Sequence, residues 1–192
     1  MAEKYKLKFE KIVEMLAELK DTSELMIDLA YSSLLLNNKE LAEEVQKLED
    51  HVDKLHTEFE LLVLSSRFRK VEAKGFLGLI RLGVVAEKIA DAAAEIAEVV
   101  LRGIEPHPVL RLTIEEADET ITYATVTEGS TLVNKTLREA SIPEETGMWV
   151  LAIKREGKCI RPKASSQIKV GDILIASGYA EGAEYLKKLA ET

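Results

Sequence analysis

Six basic side chains crowd into one stretch of this 192-residue chain: Lys154, Arg155, Lys158, Arg161, Lys163 and Lys169, against the single carboxylate of Glu156. The chain as a whole carries a net charge of −8, so the stretch is a local inversion of sign. Clustered Lys and Arg donate charge-assisted hydrogen bonds to phosphate oxygens, which makes it a candidate seat for an anionic small molecule such as a nucleotide. Trp149, the one tryptophan, lies just upstream. Its indole could stack on a base, or pack in a core or dimer interface. A solvated hairpin, or a surface that meets acidic helices, is the competing reading of the same cations.

A second constellation is acidic. Glu49, Asp53, His56 and Glu60 are spaced by four, three and four residues, so they share one helical face. Carboxylates and an imidazole on facing bundle helices are how di-iron sites are built. Glu87 and Asp91 form another i, i+4 acidic pair. Glu49, Asp53, Glu87 and Asp91 are therefore the metal-ligand candidates, with a solvated acidic face as the alternative. His51 and His56 stand five apart and do not share a face as a two-histidine site requires.

No catalytic motif assembles. The sequence has no G-x-S-x-G, no H-E-x-x-H, no Walker lysine loop and no cysteine pair. Gly75 to Gly78 opens a helix with no strand before it, which excludes a dinucleotide fingerprint. None of the three histidines (51, 56 and 107) stands near Cys159 in sequence, so no nucleophile–base pair is indicated. The expectation is a protein that is not an enzyme.

Two halves with different periods must position these groups. Residues 1–103 read as three helices. In the second, Leu41, Val45, Leu48, Val52, Leu55, Phe59, Leu62 and Ser66 alternate spacings of four and three, one apolar seam over about eight turns. Asn37, with Glu40 three residues on, is the expected N-cap and capping-box partner. The first helix, roughly 3–36, carries Ile12, Leu16, Leu19, Met26, Ala30 and Leu34 at similar spacing. In the third, 71–102, the polar residues fall on a narrow stripe, so a second subunit or another protein is expected to cover part of its apolar circumference. Gly103, Pro106 and Pro108 end it.

From about residue 121 the pattern turns to short strands: 121–126, 148–155, and 172–178, with Glu156–Gly157 as a hairpin turn into 158–160. Residues 136–140 and 183–190 read as short helices, and 109–119 as a connecting one. The fold class is α+β, with a helical bundle over 1–108 and a small α+β domain over 109–192.

Composition narrows the function. The hydrophobic share of 46% with 31% charged residues is that of a globular protein, and no apolar run of 18 residues is present to span a bilayer. The single cysteine and the absence of a signal-peptide core suit a cytoplasmic protein. The acidic balance excludes a general nucleic-acid binder.

The span from Ala117 to Ala190 resembles the TrkA C-terminal domain, the regulator-of-conductance module of potassium channels and many ion transporters. The resemblance is carried by Glu128-Gly129-Ser130, Lys135-Thr136-Leu137, Gly147, Val150 through Arg155, Pro162, and Val170-Gly171-Asp172-Ile173-Leu174-Ile175 with Gly178. The span from about Tyr5 to Leu110 resembles one half of a PhoU-type protein, through Asp50-His51-Val52-Asp53-Lys54-Leu55, Arg81-Leu82-Gly83 and Ala86 through Ala90.

The PhoU resemblance implies metal-binding acidic positions where this chain has Ile80 and Val84, so a bound iron cluster is not expected. The TrkA-type resemblance implies dimers that bind a small ligand at their interface, in one branch cyclic di-adenylate held by an Arg and an Asn. Those positions are Pro143 and Trp149 here, leaving Arg138, Trp149, Arg161 and Lys163 as the ligand-binding candidates.

Together the two resemblances imply a cytoplasmic, homodimeric or higher-order regulatory subunit of a cation channel or transporter. Potassium is the expected ion, and the partner is a membrane protein with no nucleic acid involved. The alternatives are a PhoU-like metal-binding or phosphate-signalling adaptor, and a regulator of a magnesium transporter.

Overall fold

The computed structural model describes residues 2–66, 70–103 and 119–192. The helix expected over 109–119 lies outside the described residues except at its last position, Glu119, which begins a strand.

Three helices form the first half: α1 (Ala2–Leu35), α2 (Lys39–Leu64) and α3 (Ala73–Leu101), the last entered through a 3₁₀ turn at Lys70–Glu72. The seam of α2 faces inward, with Leu41, Val45, Val52, Leu55 and Phe59 buried. From α1 come Ile12, Leu19, Met26, Leu29 and Ala30. The buried face of α3 is made of small residues, Gly83, Ala86, Ala90, Ala93 and Ala97, which lets it sit close to both neighbours. A methyl group at Gly83 would come within 2.8 Å of the Phe59 ring.

The cap of α2 falls one residue later than the sequence suggests. Asn38 Oδ1 accepts from the Leu41 amide at 3.1 Å, while Asn37 takes a left-handed conformation with φ 47°. A turn needs Asn37 to reverse the chain, so the extended backbone required of a cap passes to Asn38. Glu40 is then free of capping duty and reaches across to Lys154, at 2.6 Å.

The second half is a four-stranded antiparallel sheet in the order β1-β4-β2-β3, with β1 Glu119–Thr125, β2 Met148–Arg155, β3 Lys158–Ile160 and β4 Ile173–Tyr179. Helices α4 (Leu137–Ala140), α5 (Ile142–Thr146) and α6 (Ala180–Glu191) complete it. Glu156 and Gly157 turn β2 into β3 with φ of 51° and 80°, the paired positive values a two-residue hairpin of this hand requires.

One sheet face covers its own small core, built on Met148, Ile153, Leu174, Ala176 and Leu186. The other lies on the bundle, where Ala152 and Ile175 join the helical core and Ile121 and Cys159 pack beside them. A register shift between Val150 and Ala152 produces this division, because a bulge moves the residues beyond it to the opposite face. Ala152 therefore points at the helices, and Ile153 at the small core. The two halves thus share a buried joint.

Among the described residues, part of the wide apolar side of α3 stays uncovered. Leu82, Val85 and Ile89, with Phe9 and Val13 of α1, remain exposed along a groove of about 460 Å³.

Candidate functional site

Arg138, Trp149 and Lys163 come together around one cavity of about 360 Å³ on the C-terminal half. Trp149 is the second residue of β2 and keeps 57% of its surface exposed, so an indole face is available to a ligand. Arg138 is set by α4, whose start is fixed by a capping box. The Thr136 hydroxyl accepts from the Glu139 amide at 3.2 Å, and the Glu139 carboxylate accepts from the Thr136 amide at 2.9 Å. That backbone hydrogen bond, with the hydroxyl's own, holds the Glu139 carboxyl below its usual range. Ser141 in the left-handed region then turns the chain into α5, and Pro143 at its start becomes another wall of the cavity.

Residues 162–164 close the far side. This segment is tied to α4, because the Arg138 amide donates to the Ala164 carbonyl at 3.0 Å and the Leu137 amide to the Ser166 carbonyl at 2.9 Å. The Ser166 hydroxyl in turn accepts from the Lys163 amide at 2.9 Å. The cavity is thus lined by an aromatic ring, two cations, two prolines and one carboxylate, Glu144. Its volume is that of a small-ligand pocket. Both positions where the resemblance implies ligand contacts, Pro143 and Trp149, line it, with a proline that has no polar side-chain atom and an indole with a single N–H donor in place of the family's Arg and Asn.

Arg161 is placed elsewhere. Its guanidinium leaves the cavity for α1, where it donates to the Asp21 carbonyl at 3.1 Å and pairs with the Glu24 carboxylate. Lys163 extends towards the same acids, with Nζ 3.9 Å from Asp21 Oδ2. Glu24 is held below the usual carboxylate range by its hydrogen bond from Lys20, and then by Arg161. Nearby Asp28 is pushed up by burial, an effect Arg161 only partly offsets.

The basic stretch is therefore not one anion patch. Lys154 meets Glu40, and Arg155 grips the buried Asp172 through two bonds of 2.7 Å. The competing sequence reading, cations meeting acidic helices, describes Lys154 and Arg161. No sequence signal pointed to Asp21 and Glu24, which lie more than 130 residues from their partner. Cys159 lies against the bundle, and burial pushes its thiol up to about 11, so it stays protonated and unreactive at neutral pH.

Of the acidic candidates, Glu49, Asp53 and Asp91 each bring an oxygen within 4.8 Å of the others, across α2 and α3. Burial, and then Asp53, Asp50, Asp91 and Glu87, raise the Glu49 carboxyl. Three carboxylates are a donor set for a single hard divalent ion. With Ile80 and Val84 aliphatic they do not fit a multinuclear cluster. Glu87 stands outside this trio. His56 turns inward beside Gly83, with Nε2 3.6 Å from Glu60, so the four-residue stripe does not converge on one point.

Among the described residues no helix is long and apolar enough to cross a membrane. Comparison with known proteins identifies both halves. Residues 16–100 match the PhoU domain, and residues 121–191 match the TrkA-C domain. Two proteins of Methanocaldococcus jannaschii are similar to parts of the chain. A probable potassium channel protein 2 is 34% identical over 77 residues, 40% of this chain and 22% of the relative. Potassium channel protein 1 is 37% identical over 67 residues, 34% of this chain and 20% of the relative. The chain thus spans about a fifth of the length of these curated relatives.

Among solved structures, the RCK_C domain dimer of S. agalactiae BusR in complex with c-di-AMP is 28% identical, covering 36% of this chain and 92% of that one at a TM-score of 0.34. The RCK C domain of the potassium transport protein KtrA, also in complex with c-di-AMP, is 24% identical, covering 42% and 94% at 0.35. By its two matched domains, the chain is a PhoU domain joined to a TrkA-C domain.

Proposed function

We propose that this chain is a non-catalytic, cytoplasmic regulatory subunit of a potassium channel or transporter. It acts as a dimer through its C-terminal domain and responds to an anionic nucleotide. The observation that carries the reading is the cavity in which Arg138, Trp149 and Lys163 meet within the TrkA-C domain. An exposed indole offers base stacking worth about 1–3 kcal/mol, and the two cations offer charge-assisted bonds to phosphate. The names of the two curated relatives supply the expected ion. The potassium reading is therefore favoured over the magnesium one.

Native mass spectrometry with AMP, ATP, cyclic di-AMP and divalent metals tests this reading, because it reports subunit number and bound species together. The expected result is a dimer or tetramer that gains a nucleotide. Trp149→Ala should weaken that nucleotide by about 5- to 150-fold, the range set by lost stacking. A species that carries a metal and no nucleotide would transfer the function to Glu49, Asp53 and Asp91, as a metal-binding adaptor. A bare monomer would overturn the dimeric regulator.

A further inference from the structure

We infer that the ligand cavity and the contact between the two domains share one cation, Lys163, so that an anion bound at Trp149 unlatches the C-terminal domain from α1. This rests on the nucleotide reading above and adds the route by which binding reaches the helical domain.

The latch is residues 161–163. Arg161 holds Glu24 and the Asp21 carbonyl, while Lys163 faces Asp21 on one side and lines the cavity on the other. Pro162 joins them and is itself a cavity wall. Its ring fixes φ at position 162, which narrows the backbone freedom between the two cations. The segment's far end is bonded to the amides of Leu137 and Arg138, which ties it to the opposite wall of the cavity.

An anion in the cavity acts on this segment in two ways. It competes with Asp21 for the Lys163 ammonium, whose present contact is long, at 3.9 Å, and whose side chain is 70% exposed. It also adds negative charge beside Asp21 and Glu24, which already stand together, and like charges repel. Both effects favour a state with the acids of α1 released. Linkage then requires the reverse: removing those acids must tighten the anion. The Lys154–Glu40 pair also crosses between the domains, but neither residue lines the cavity, so it serves as the internal control.

The test is isothermal titration of the full chain with AMP, ATP and cyclic di-AMP, alongside hydrogen–deuterium exchange. Asp21→Asn with Glu24→Gln should bind the nucleotide about three- to tenfold more tightly than wild type, and Glu24→Gln alone should shift the same way by less. Glu40→Gln should bind as wild type does. In wild type, nucleotide should raise deuterium uptake across residues 18–30.

Unchanged affinity in the double variant, with wild type binding normally, would overturn the latch and leave the cavity reading intact. An equal gain in Glu40→Gln would overturn it too, since general loosening would then explain the effect. Wild type that binds none of the three nucleotides would overturn the cavity reading and the latch with it. Both positions are at least a third exposed, and circular dichroism melts verify that the variants fold.

Discussion

The same substitution, glycine to alanine, is expected to act with opposite sign at two helical positions. At Gly182, in the first turn of α6, an added Cβ would sit 2.0 Å from the Thr146 carbonyl oxygen and 3.1 Å from both the Thr146 carbonyl carbon and Met148 Cγ. The nearest obstacle is backbone, at the junction of α5 and β2, and cannot swing aside. Ordinary contact begins near 3.4 Å, so α6 must retreat by about 1.4 Å, which lifts Leu186 and Ala190 from the small core. Overpacking of that size costs about 1–3 kcal/mol, against a helix-propensity gain of at most about 1.

At Gly78, inside α3, nothing lies within 4 Å of the added carbon. Only the propensity gain survives there, and the chain should be stabilised by about 0.5–1 kcal/mol. Urea unfolding of the full chain resolves the two, with Trp149 fluorescence reporting on the C-terminal domain and far-ultraviolet circular dichroism on the helices. Gly182→Ala should lower the fluorescence midpoint, and Gly78→Ala should raise the dichroism midpoint. A neutral or stabilising Gly182→Ala would refute the close approach of α6 to the α5–β2 junction.

Asp172 is fully buried, holds Arg155 in a two-point pair and accepts the Lys169 amide at 2.8 Å. Asp172→Ala should cost about 3 kcal/mol, the low end for a broken buried pair because Arg155 keeps some contact with water; a cost below about 1 kcal/mol in the same urea assay would refute that. At Asp28, burial raises the carboxyl above its ordinary 3.8, so the folded chain binds this proton more tightly than the unfolded chain. Stability is then lost as pH rises from the ordinary value through the raised one. Asp28→Asn should accordingly be more stable than wild type at pH 7, by a margin that narrows towards pH 4; equal stability at pH 7 would contradict this account.

Local pattern carried much of the architecture. Alternation and the Glu156–Gly157 turn place β2 and β3 at the expected residues, and the four-three seam places α2. Where two adjacent residues could each cap, sequence misplaced the cap, because the choice between Asn37 and Asn38 depends on which one the turn bends. The helix α5 was missed, since five residues opened by Ile142-Pro143 carry too little periodicity to register.

The site divided along the same line. Arg138, Trp149 and Lys163 lie within 26 positions of one another and share a cavity. Arg161 has the same chemistry and nearly the same position, yet its partners lie at Asp21 and Glu24. A contact between residues so distant leaves no trace in local spacing. The division of Ala152 and Ile153 between two cores was equally hidden, because it depends on a bulge that an apolar run does not announce.

The shared joint also orders the making of the protein. The bundle is complete once Leu101 has been added, but the surface that Ala152 and Ile175 will cover stays bare until the last strand ends at Tyr179. At cellular elongation rates of ~5–20 residues per second that interval is roughly 4–16 s, far longer than a helical bundle needs to form. The nascent chain therefore carries a folded bundle with an apolar window open to solvent. That window is where a chaperone would bind, and where a truncated chain would aggregate.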